Sequence, residues 1–232
     1  MVRWQDHVGL LAKAQGYVAR SALKLLQLQD KHRIIQQGDR ILDLGCSPGA
    51  WLQVACKLLG DAKNGGRVMG IDIKETALPL SGCDERVEAI KADVRDLTAE
   101  DLDFLCPGGF EVVLSDMCHN TTGNAMLDGA RSLELGQMAA EVALGRELND
   151  DRTDVTSSGS LSHAEQQVPA GCLRQHGNLV IKLLQGSGSE LFAKQLQPHF
   201  KKVAWMQPEA SRRASREMYL LGLRRRRFLQ PG

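Results

Sequence analysis

The sequence predicts an α/β fold in which a mostly parallel, seven-stranded sheet carries helices on both faces. Three observations lead to this prediction. Seven short apolar runs typical of strands recur along the 232 residues, and helical patterns fill most of the gaps between them. The first strand also runs directly into a turn bracketed by Gly45 and Gly49 and then into an apolar helix, which is typical of the opening βα unit of a doubly wound sheet.

The individual elements follow from the spacing of apolar residues along the chain. Residues 5–37 have apolar side chains at helical spacing, and Gly16 is expected to divide them into two helices. Strands are predicted at residues 40–44, 67–73, 87–91, 111–116, 178–184, 201–206 and 218–223. Further helices are predicted at residues 50–59, 130–144 and 189–196. Because only a short polar segment joins the last two strands, one of them is expected to run antiparallel.

One polar segment interrupts this pattern. Residues 145–175 are rich in Asp, Ser, Thr, Gln and Glu, which predicts a flexible surface insertion, disordered at least over 149–165. The alternative is a functional lid. We therefore expect a single domain over residues 1–232, with this insertion and a basic C-terminal tail at 224–232.

The composition argues against several classes of protein. The six cysteines show no C-x-x-C spacing and no other metal-ligand spacing is present, so no metal is expected. No apolar run is long enough to span a bilayer, so no membrane partner is expected. A hydrophobic content of 43% is ordinary for a globular protein and points to no particular function.

The turn at residues 45–49 predicts a site for a nucleotide-like cofactor. Gly45 and Gly49 allow the backbone to turn tightly and to approach a ligand, and Pro48 stiffens the loop. The first N–H groups of the following helix are available as donors. The spacing Gly45-x-x-x-Gly49 differs from the G-x-G-x-x-G fingerprint, which argues against a dinucleotide.

Acidic residues at successive strand ends indicate which cofactor fits. Asp72 closes the second strand, where its carboxylate can accept hydrogen bonds from ribose hydroxyls, and Asp93 follows the third strand. A ribose, an adenine amine and a positive charge together suit these acids, and S-adenosylmethionine has all three. Each acid alone is weak support, because strand-end Asp residues often cap helices. Asp43 lies within the first strand and has an alternative role in orienting the glycine loop.

The charge distribution indicates a second ligand. Residues 1–40 carry seven Lys and Arg against three Asp and Glu, and residues 201–232 carry nine against two. The residues between them carry thirteen against twenty-three, so the net charge is only +1. Two basic ends around an acidic body predict a polyanion that docks beside the nucleotide pocket. The alternative is that residues 224–227 are only a solvated tail.

Two lysines and two further carboxylates are candidates for chemistry. Lys24 precedes the first strand, Asp116 ends the fourth, and Glu217 leads into the last. Lys182 lies inside an apolar strand, where a charge is costly unless it has a partner or a task. The alternative is a lysine whose long side chain carries its ammonium to the strand end.

These motifs together resemble the FtsJ family of ribose 2′-O-methyltransferases. The resemblance covers residues 4–223 apart from the segment 145–175. Its most specific parts are Arg20-Ser21-Ala22-Leu23-Lys24, Asp43-Leu44-Gly45-x-x-Pro48-Gly49-x-Trp51, Ser115-Asp116-Met117, Lys182 and Ala210-Ser211-Arg212-x-x-Ser215-x-Glu217-x-Tyr219. The resemblance implies a Rossmann-like S-adenosylmethionine-dependent methyltransferase fold, and the chain looks most like the mitochondrial and bacterial large-subunit rRNA branch.

The resemblance also assigns roles to residues. A catalytic tetrad falls on Lys24, Asp116, Lys182 and Glu217. Cofactor contacts fall on Gly49, Trp51, Asp72, Asp93 and Asp116, beside Gly45 and Pro48 of the same turn. A ribose hydroxyl needs a base in the transition state, and burial beside Lys24 is expected to lower the pKa of Lys182 toward that role. Asp116 opposes that shift but can hold the amine, while Glu217 can orient either lysine.

The expected substrate is ribosomal RNA or the large ribosomal subunit, with a uridine as target. A tRNA anticodon-loop ribose methyltransferase and a non-catalytic RNA-binding assembly factor are the alternatives. Lys13, Arg20, Arg212, Arg213 and Arg216 are candidates for phosphate contacts, which position RNA without reading its sequence.

A few points depart from this picture or stay open. Cys118 and His119 replace the usual Ala-Pro of the family, and a loop histidine is more often structural or exposed than bound to RNA. The resemblance favours a mitochondrial or other organellar location, whereas residues 1–16 make a poor transit peptide, which leaves the cytoplasm as the alternative. A monomer is sufficient for the expected activity.

Overall fold

A central sheet of seven strands organises the computed structural model, which describes residues 4–145, 171–211 and 215–227. The strands are β1 (Arg40–Leu44), β2 (Arg67–Asp72), β3 (Val87–Lys91), β4 (Phe110–Ser115), β5 (Leu173–Leu184), β6 (Phe200–Met206) and β7 (Glu217–Arg225). Their order across the sheet is β3-β2-β1-β4-β5-β7-β6. Strands β1 to β5 are parallel, and β7 runs antiparallel to both β5 and β6. The expected α/β fold is confirmed, including one antiparallel strand near the chain end.

Three helices cover each face of this sheet. The helices are α1 (Trp4–Ala14), α2 (Ser21–His32), α3 (Ala50–Leu58), α4 (Ala99–Leu105), α5 (Ala125–Leu144) and α6 (Ser189–Leu196). Buried side chains of α1, α2 and α3 pack on one face of the sheet, and those of α4, α5 and α6 pack on the other. Both clusters include strand residues that are fully buried, so the sheet lies between two apolar layers.

Several helices differ from the predicted ones for local reasons. Helix α5 begins five residues earlier than expected because the Asn124 side chain accepts hydrogen bonds from the N–H groups of Met126 and Leu127. Helix α4 was not predicted, yet Thr98 and Asp101 form a capping box at its start. The N-terminal helical region ends at His32 rather than at residue 37.

The predicted insertion over residues 145–175 was only partly correct. Strand β5 starts at Leu173, which pairs with Phe110 of β4 ahead of a register shift, so residues 173–175 belong to the sheet. The expected disorder over 149–165 and the end of the tail at 228–232 fall outside the described residues. Within the described ranges, no helix combines the length and apolar character needed to cross a membrane.

Candidate active site

The glycine turn lies at the carboxyl end of β1, between β2 and β4. The Gly45 N–H donates to the carbonyl of Ile71 at 2.8 Å, and the Asp116 N–H donates to the carbonyl of Leu44 at 3.1 Å. Gly45 has a φ of +80°, and a Cβ there would lie 2.8 Å from the Cα of Met117. Gly49 has a φ of +105° and precedes α3, whose start has no side-chain cap. The turn therefore leaves the first N–H groups of α3 facing the strand ends.

Gly45→Ala is expected to lower the free energy of unfolding by about 2 kcal/mol more than Gly65→Ala does. Both glycines have positive φ, but nothing lies within 4 Å of a Cβ at Gly65, whereas the backbone of Met117 blocks one at Gly45. Urea unfolding of the two variants measures the difference. Equal losses would show that the left-handed conformation alone, and not the close approach, requires glycine at position 45.

Asp72 connects the glycine turn to the end of β2 by hydrogen bonds. One of its carboxylate oxygens accepts from the Ser47 N–H at 2.9 Å, and the other accepts from the Lys74 N–H at 2.8 Å. A carboxylate oxygen can accept a second hydrogen bond, so this arrangement leaves capacity for a hydroxyl ligand. The side chain is half-buried and faces the same strand ends as the turn.

Asp43 is a fully buried carboxyl group directly below the turn. Neither of its oxygens has a hydrogen-bond partner among the described residues. Burial raises the pKa of Asp43 well above its ordinary range, and the nearby charges of Asp116 and Asp72 raise it further. An unpartnered buried polar group is uncommon in folded proteins, so this carboxyl group indicates a missing polar partner at the turn.

Asp93 is bound by a neighbouring guanidinium. Its carboxylate accepts from Arg95 Nη2 at 2.6 Å, from Arg95 Nε at 3.0 Å and from the Arg95 N–H at 3.0 Å. These hydrogen bonds lower the pKa of Asp93 to about 2. Any ligand amine at this carboxylate would share it with Arg95.

The four tetrad residues meet at the carboxyl end of the sheet as two ion pairs. Lys24 Nζ of α2 lies 2.5 Å from Glu217 Oε1 at the start of β7. Lys182 Nζ of β5 lies 2.9 Å from Asp116 Oδ1 after β4. It also donates to the backbone carbonyl of Asp116 at 2.5 Å. Both lysines are buried, so each ammonium has a carboxylate partner where water has little access.

The expected lowering of the Lys182 pKa is wrong. Burial lowers the pKa of this amine, but the carboxylate of Asp116 and smaller contributions from Cys118 and Glu217 raise it above 10.5 overall. The Lys24 charge does not reverse this, because Lys24 is itself paired with Glu217. Lys182 is therefore a stably held ammonium in this state.

Tyr219 joins the two ion pairs and was given no role by the sequence analysis. Its hydroxyl lies 3.0 Å from Asp116 Oδ1 and 3.2 Å from Glu217 Oε1, within reach of both as a donor. The side chain is fully buried, and its ring centroid lies 5.7 Å from that of Trp51. Burial raises the pKa of Tyr219 well above its ordinary value, so the hydroxyl keeps its proton. The alternation of β7 was the available signal, because residues two apart share a face.

A match to a known protein family indicates what this site does. A sequence model of the FtsJ-like methyltransferases matches residues 17–225, which include the glycine turn and both ion pairs. The chain belongs to the FtsJ-like methyltransferase family. It is therefore a methyltransferase with the fold that the sequence resemblance implied.

Curated relatives of this FtsJ-like chain carry one shared description. A protein of Desulfatibacillum aliphaticivorans is 34% identical over 220 residues, covering 94% of this chain and 90% of its own length. One of Methanococcus aeolicus is 34% identical, covering 96% of this chain and 71% of its own length. Both are described as ribosomal RNA large subunit methyltransferase E.

Solved structures support the FtsJ-like fold. A Plasmodium falciparum protein described as a ribosomal RNA methyltransferase matches with a TM-score of 0.66 at 22% identity, covering 90% of this chain and 98% of its own. A Lactococcus lactis protein described as a hemolysin matches with a TM-score of 0.52 at 17% identity, covering 90% of this chain and 88% of its own. The same fold therefore carries different descriptions, so function has to be argued from the site.

Trp51 connects the glycine turn of this FtsJ-like site to the tetrad. Its indole N–H donates to the carbonyl of Ser21 at 2.9 Å, at the start of the helix that carries Lys24. The side chain is buried and packs against Tyr219. Its direct contact with a cofactor stays a prediction, while its visible contacts hold α2, α3 and β7 together.

Tyr219→Phe is expected to slow methyl transfer about tenfold and to lower the free energy of unfolding by about 1 to 2 kcal/mol. The substitution removes the hydroxyl that links Asp116 and Glu217 but keeps the ring against Trp51. Tyr17→Phe is the matched control, because Tyr17 is also buried but its ring packs under Lys57 of α3. Equal rates for the two variants would show that the hydroxyl link has no part in the chemistry.

The predicted phosphate contacts of the FtsJ-like chain fall in different places. Arg20 is the residue before α2, the helix that carries Lys24. Lys13 is exposed in the last turn of α1. The Arg216 guanidinium donates to the backbone carbonyls of Ala125 and Gln185 at 3.2 and 3.3 Å, so part of its donor capacity is used locally. The other two predicted contacts, Arg212 and Arg213, lie outside the described residues.

His119 has a structural environment in the loop after Asp116. Its Nε2 lies 3.4 Å from Asp128 Oδ1, and the side chain is only 16% exposed. The same carboxylate accepts from the N–H groups of Thr122 and Gly123, which lowers the pKa of Asp128. These contacts favour the structural interpretation of His119. In the described part of the chain, no group of three or more His, Cys, Asp or Glu side chains is arranged to hold a metal ion.

Proposed function

We propose that this chain is an S-adenosylmethionine-dependent ribose 2′-O-methyltransferase that acts on ribosomal RNA, with a uridine of the large-subunit RNA as its target. The carrying observation is the pair of buried lysine–carboxylate contacts beside the glycine turn. The shared description of the curated relatives supports the large-subunit rRNA as substrate.

The residues around the glycine turn fit S-adenosylmethionine. A Cβ at Gly45 would meet Met117 and one at Gly49 would meet Leu80, so both glycines let the turn pack tightly at the strand ends, where a nucleotide-like ligand would bind. Asp72 would accept from the ribose hydroxyls and Asp93 from the adenine amine, sharing its carboxylate with Arg95. When bound, the cofactor supplies a methyl group that is activated by its sulfonium. The unpartnered carboxyl of Asp43 adds a buried polar group that can form a hydrogen bond beneath the turn.

The tetrad would position the acceptor ribose and take its proton. Lys182 is the base in this proposal, because its amine is buried and held by both the carboxylate and the carbonyl of Asp116. Only the small neutral fraction of the amine can accept the hydroxyl proton, since Asp116 keeps the pKa of Lys182 above its ordinary value. Lys24 and Glu217 would orient the ribose from the other side, and alignment of this kind can lower a barrier by several kcal/mol.

The RNA backbone would be positioned by cations near this end of the sheet. Arg20 and Arg216 immediately precede α2 and β7, which carry tetrad residues, and Arg212 and Arg213 precede Glu217 in sequence. Contacts of this type orient a polyanion without reading its bases.

Methyl transfer from labelled S-adenosylmethionine to intact large subunits, to deproteinised rRNA and to tRNA tests the proposal. Label at an alkali-resistant 2′-O-methyl uridine of the large-subunit RNA, absent with Lys182→Ala, is the expected result. Label only in tRNA would instead identify the anticodon-loop activity. Equal RNA binding by the unchanged chain and Lys182→Ala, with no transfer by either, would mean a non-catalytic assembly factor.

A further inference from the structure

A cluster of exposed cations lies at the end of the sheet opposite to the tetrad. The parallel strands place their carboxyl ends at the tetrad, while α2 and β7 begin there and end at the opposite side. Cations at that opposite side belong to the end of α2, to β6 and to the residues at or just after the end of β7. We call this set the basic pole: Arg33, Lys202, Arg224 and Arg226.

Direct contacts bring these three parts of the chain together. The Asn178 side chain of β5 donates to the carbonyl of Ile34 at 2.7 Å and accepts from the Arg224 N–H at 3.0 Å. It therefore connects the residues after α2 to the end of β7. Lys202 pairs in register with Leu223, immediately before Arg224. The basic pole is thus a feature of the folded sheet edge and not of a disordered tail.

His32, which precedes Arg33, lies close to β6. Burial lowers the pKa of His32, and the charges of Lys202 and Lys31 lower it further. His32 and Lys202 therefore lie within effective electrostatic range although they come from different elements. Like charges that share one end of the sheet repel one another, so the pole favours the binding of an anion.

Within the described residues, no carboxylate forms an ion pair with any cation of the basic pole. All four are exposed, and Arg226 uses its Nε for the carbonyl of Phe200. Glu111 at the same end of the sheet is already bound by Arg40 and Arg174, at 3.0 and 2.7 Å. The positive charge of the pole is therefore available to an external partner.

The position of the pole changes the expectation drawn from the charge pattern. That pattern predicted a polyanion beside the nucleotide pocket, but β7 separates Glu217 from Arg224 by seven residues. At about 3.3 Å per residue, this separation is roughly 23 Å. A phosphate next to the target ribose cannot contact both places. The cations near the chain end need a more distant part of the same polyanion.

We propose that the basic pole is a second RNA-docking surface, which binds phosphates about seven or more stacked nucleotides away from the methylated ribose. The number follows from the roughly 23 Å separation and a stacking distance of about 3.4 Å. This inference rests on the proposed function, because it takes RNA as the substrate. It assigns the long-range part of substrate binding to α2, β6 and β7.

The surroundings of the pole favour RNA over an anionic membrane. Proteins that lie on membranes combine cations with exposed apolar side chains that enter the bilayer. The large apolar side chains that are exposed in the described residues include none from α2, β6 or β7. Cations without an apolar companion suit a phosphate backbone, for which electrostatics supplies most of the affinity.

The salt dependence of RNA binding tests the pole directly. We compare K202Q/R224Q with K63Q/K194Q, which removes two exposed lysines from other elements. For long rRNA fragments, the slope of log affinity against log salt is expected to fall by about 1.4 to 1.8 in the pole variant, because two phosphate contacts are lost. The control variant is expected to keep the slope of the unchanged chain. Equal slopes for both variants would overturn the proposal.

Substrate length separates the pole from the active site. With a target oligonucleotide of three nucleotides, too short to reach the pole, K202Q/R224Q is expected to keep the KM of the unchanged chain. With long rRNA its KM is expected to rise about tenfold. A similar rise with the short oligonucleotide would place these cations at the active site and overturn the proposal. So would pole-dependent binding to phosphatidylserine vesicles without pole-dependent RNA binding.

The two proposals fail separately in these experiments. Binding needs no methyl transfer, so a lowered salt slope without any methylation by the unchanged chain would contradict the proposed function and support the pole. Methylation of the rRNA with no effect of K202Q/R224Q on binding or KM would contradict the pole alone.

Discussion

Lys182→Met lowers the rate of methyl transfer to RNA by an expected two to four orders of magnitude, roughly the contribution of a positioned general base. Methionine keeps an unbranched apolar stem in a buried strand position but removes the amine that Asp116 holds at 2.9 Å. The affinity for S-adenosylmethionine, measured by calorimetry, should change little. A single-turnover rate with labelled cofactor gives the effect, and Lys194→Met on the exposed face of α6 is the control.

The pH profile distinguishes a base from a binding group at Lys182. Because its pKa is raised above the ordinary 10.5, the neutral fraction is small at pH 7 and grows about tenfold per pH unit. The rate of the unchanged enzyme should therefore rise with pH across pH 7 to 9 without a plateau. Lys182→Arg keeps a positive charge but cannot lose its proton, so it should be as slow as Lys182→Met. A flat profile, or an active arginine variant, would exclude proton transfer to Lys182.

Asp116→Asn is the second substitution with a large expected effect, and it acts on stability as well as on rate. It leaves Lys182 buried without its carboxylate, which is expected to lower the free energy of unfolding by about 3 kcal/mol. The cost is expected at the low end of the usual range because the Asp116 side chain is 18% exposed. Asp116 is also the chief cause that raises the Lys182 pKa, so the rising limb of the pH–rate profile should move to lower pH.

A double-mutant cycle checks the origin of this cost. In Asp116→Asn/Lys182→Met the unpaired charge is gone, so most of the lost stability should return, as measured by urea unfolding. Glu111→Gln is the control, because it breaks surface pairs with Arg40 and Arg174 and is expected to cost no more than about 1 kcal/mol. If the double variant is as unstable as Asp116→Asn alone, the buried Lys182 charge is not the cause.

The arrangement of strands was predictable because it follows from local patterns. Alternating apolar segments and the glycine turn at residues 45–49 are readable in one dimension and predict a parallel sheet with its ligand at the strand ends. The start of α5 and the existence of α4 depend on single capping side chains, Asn124 and Thr98. The early start of β5 was not readable, because it depends on a pairing of Leu173 with Phe110, more than sixty residues away.

The sequence predicted which residues form the site better than it predicted the chemistry of those residues. The tetrad residues come together as expected, but the direction of the Lys182 pKa depends on distances. Asp116 Oδ1 lies 2.9 Å from the Lys182 amine, whereas the charge of Lys24 is paired with that of Glu217, whose Oε1 lies 2.5 Å from Lys24 Nζ. Likewise, the Tyr219 hydroxyl reaches two carboxylates only because β7 pairs antiparallel with β5, placing Tyr219 opposite Lys182.

The antiparallel direction of β7 fixes the distance between the tetrad and the basic pole, and so the length of RNA that can contact both. The strand begins with a tetrad residue and ends among the cations of the basic pole, and it is hydrogen-bonded on both sides by β5 and β6. A strand held in this way cannot change length. The minimum size of a fully bound RNA is then set by one element of the protein, and related enzymes with a longer or shorter last strand would differ in the RNA length they need for tight binding.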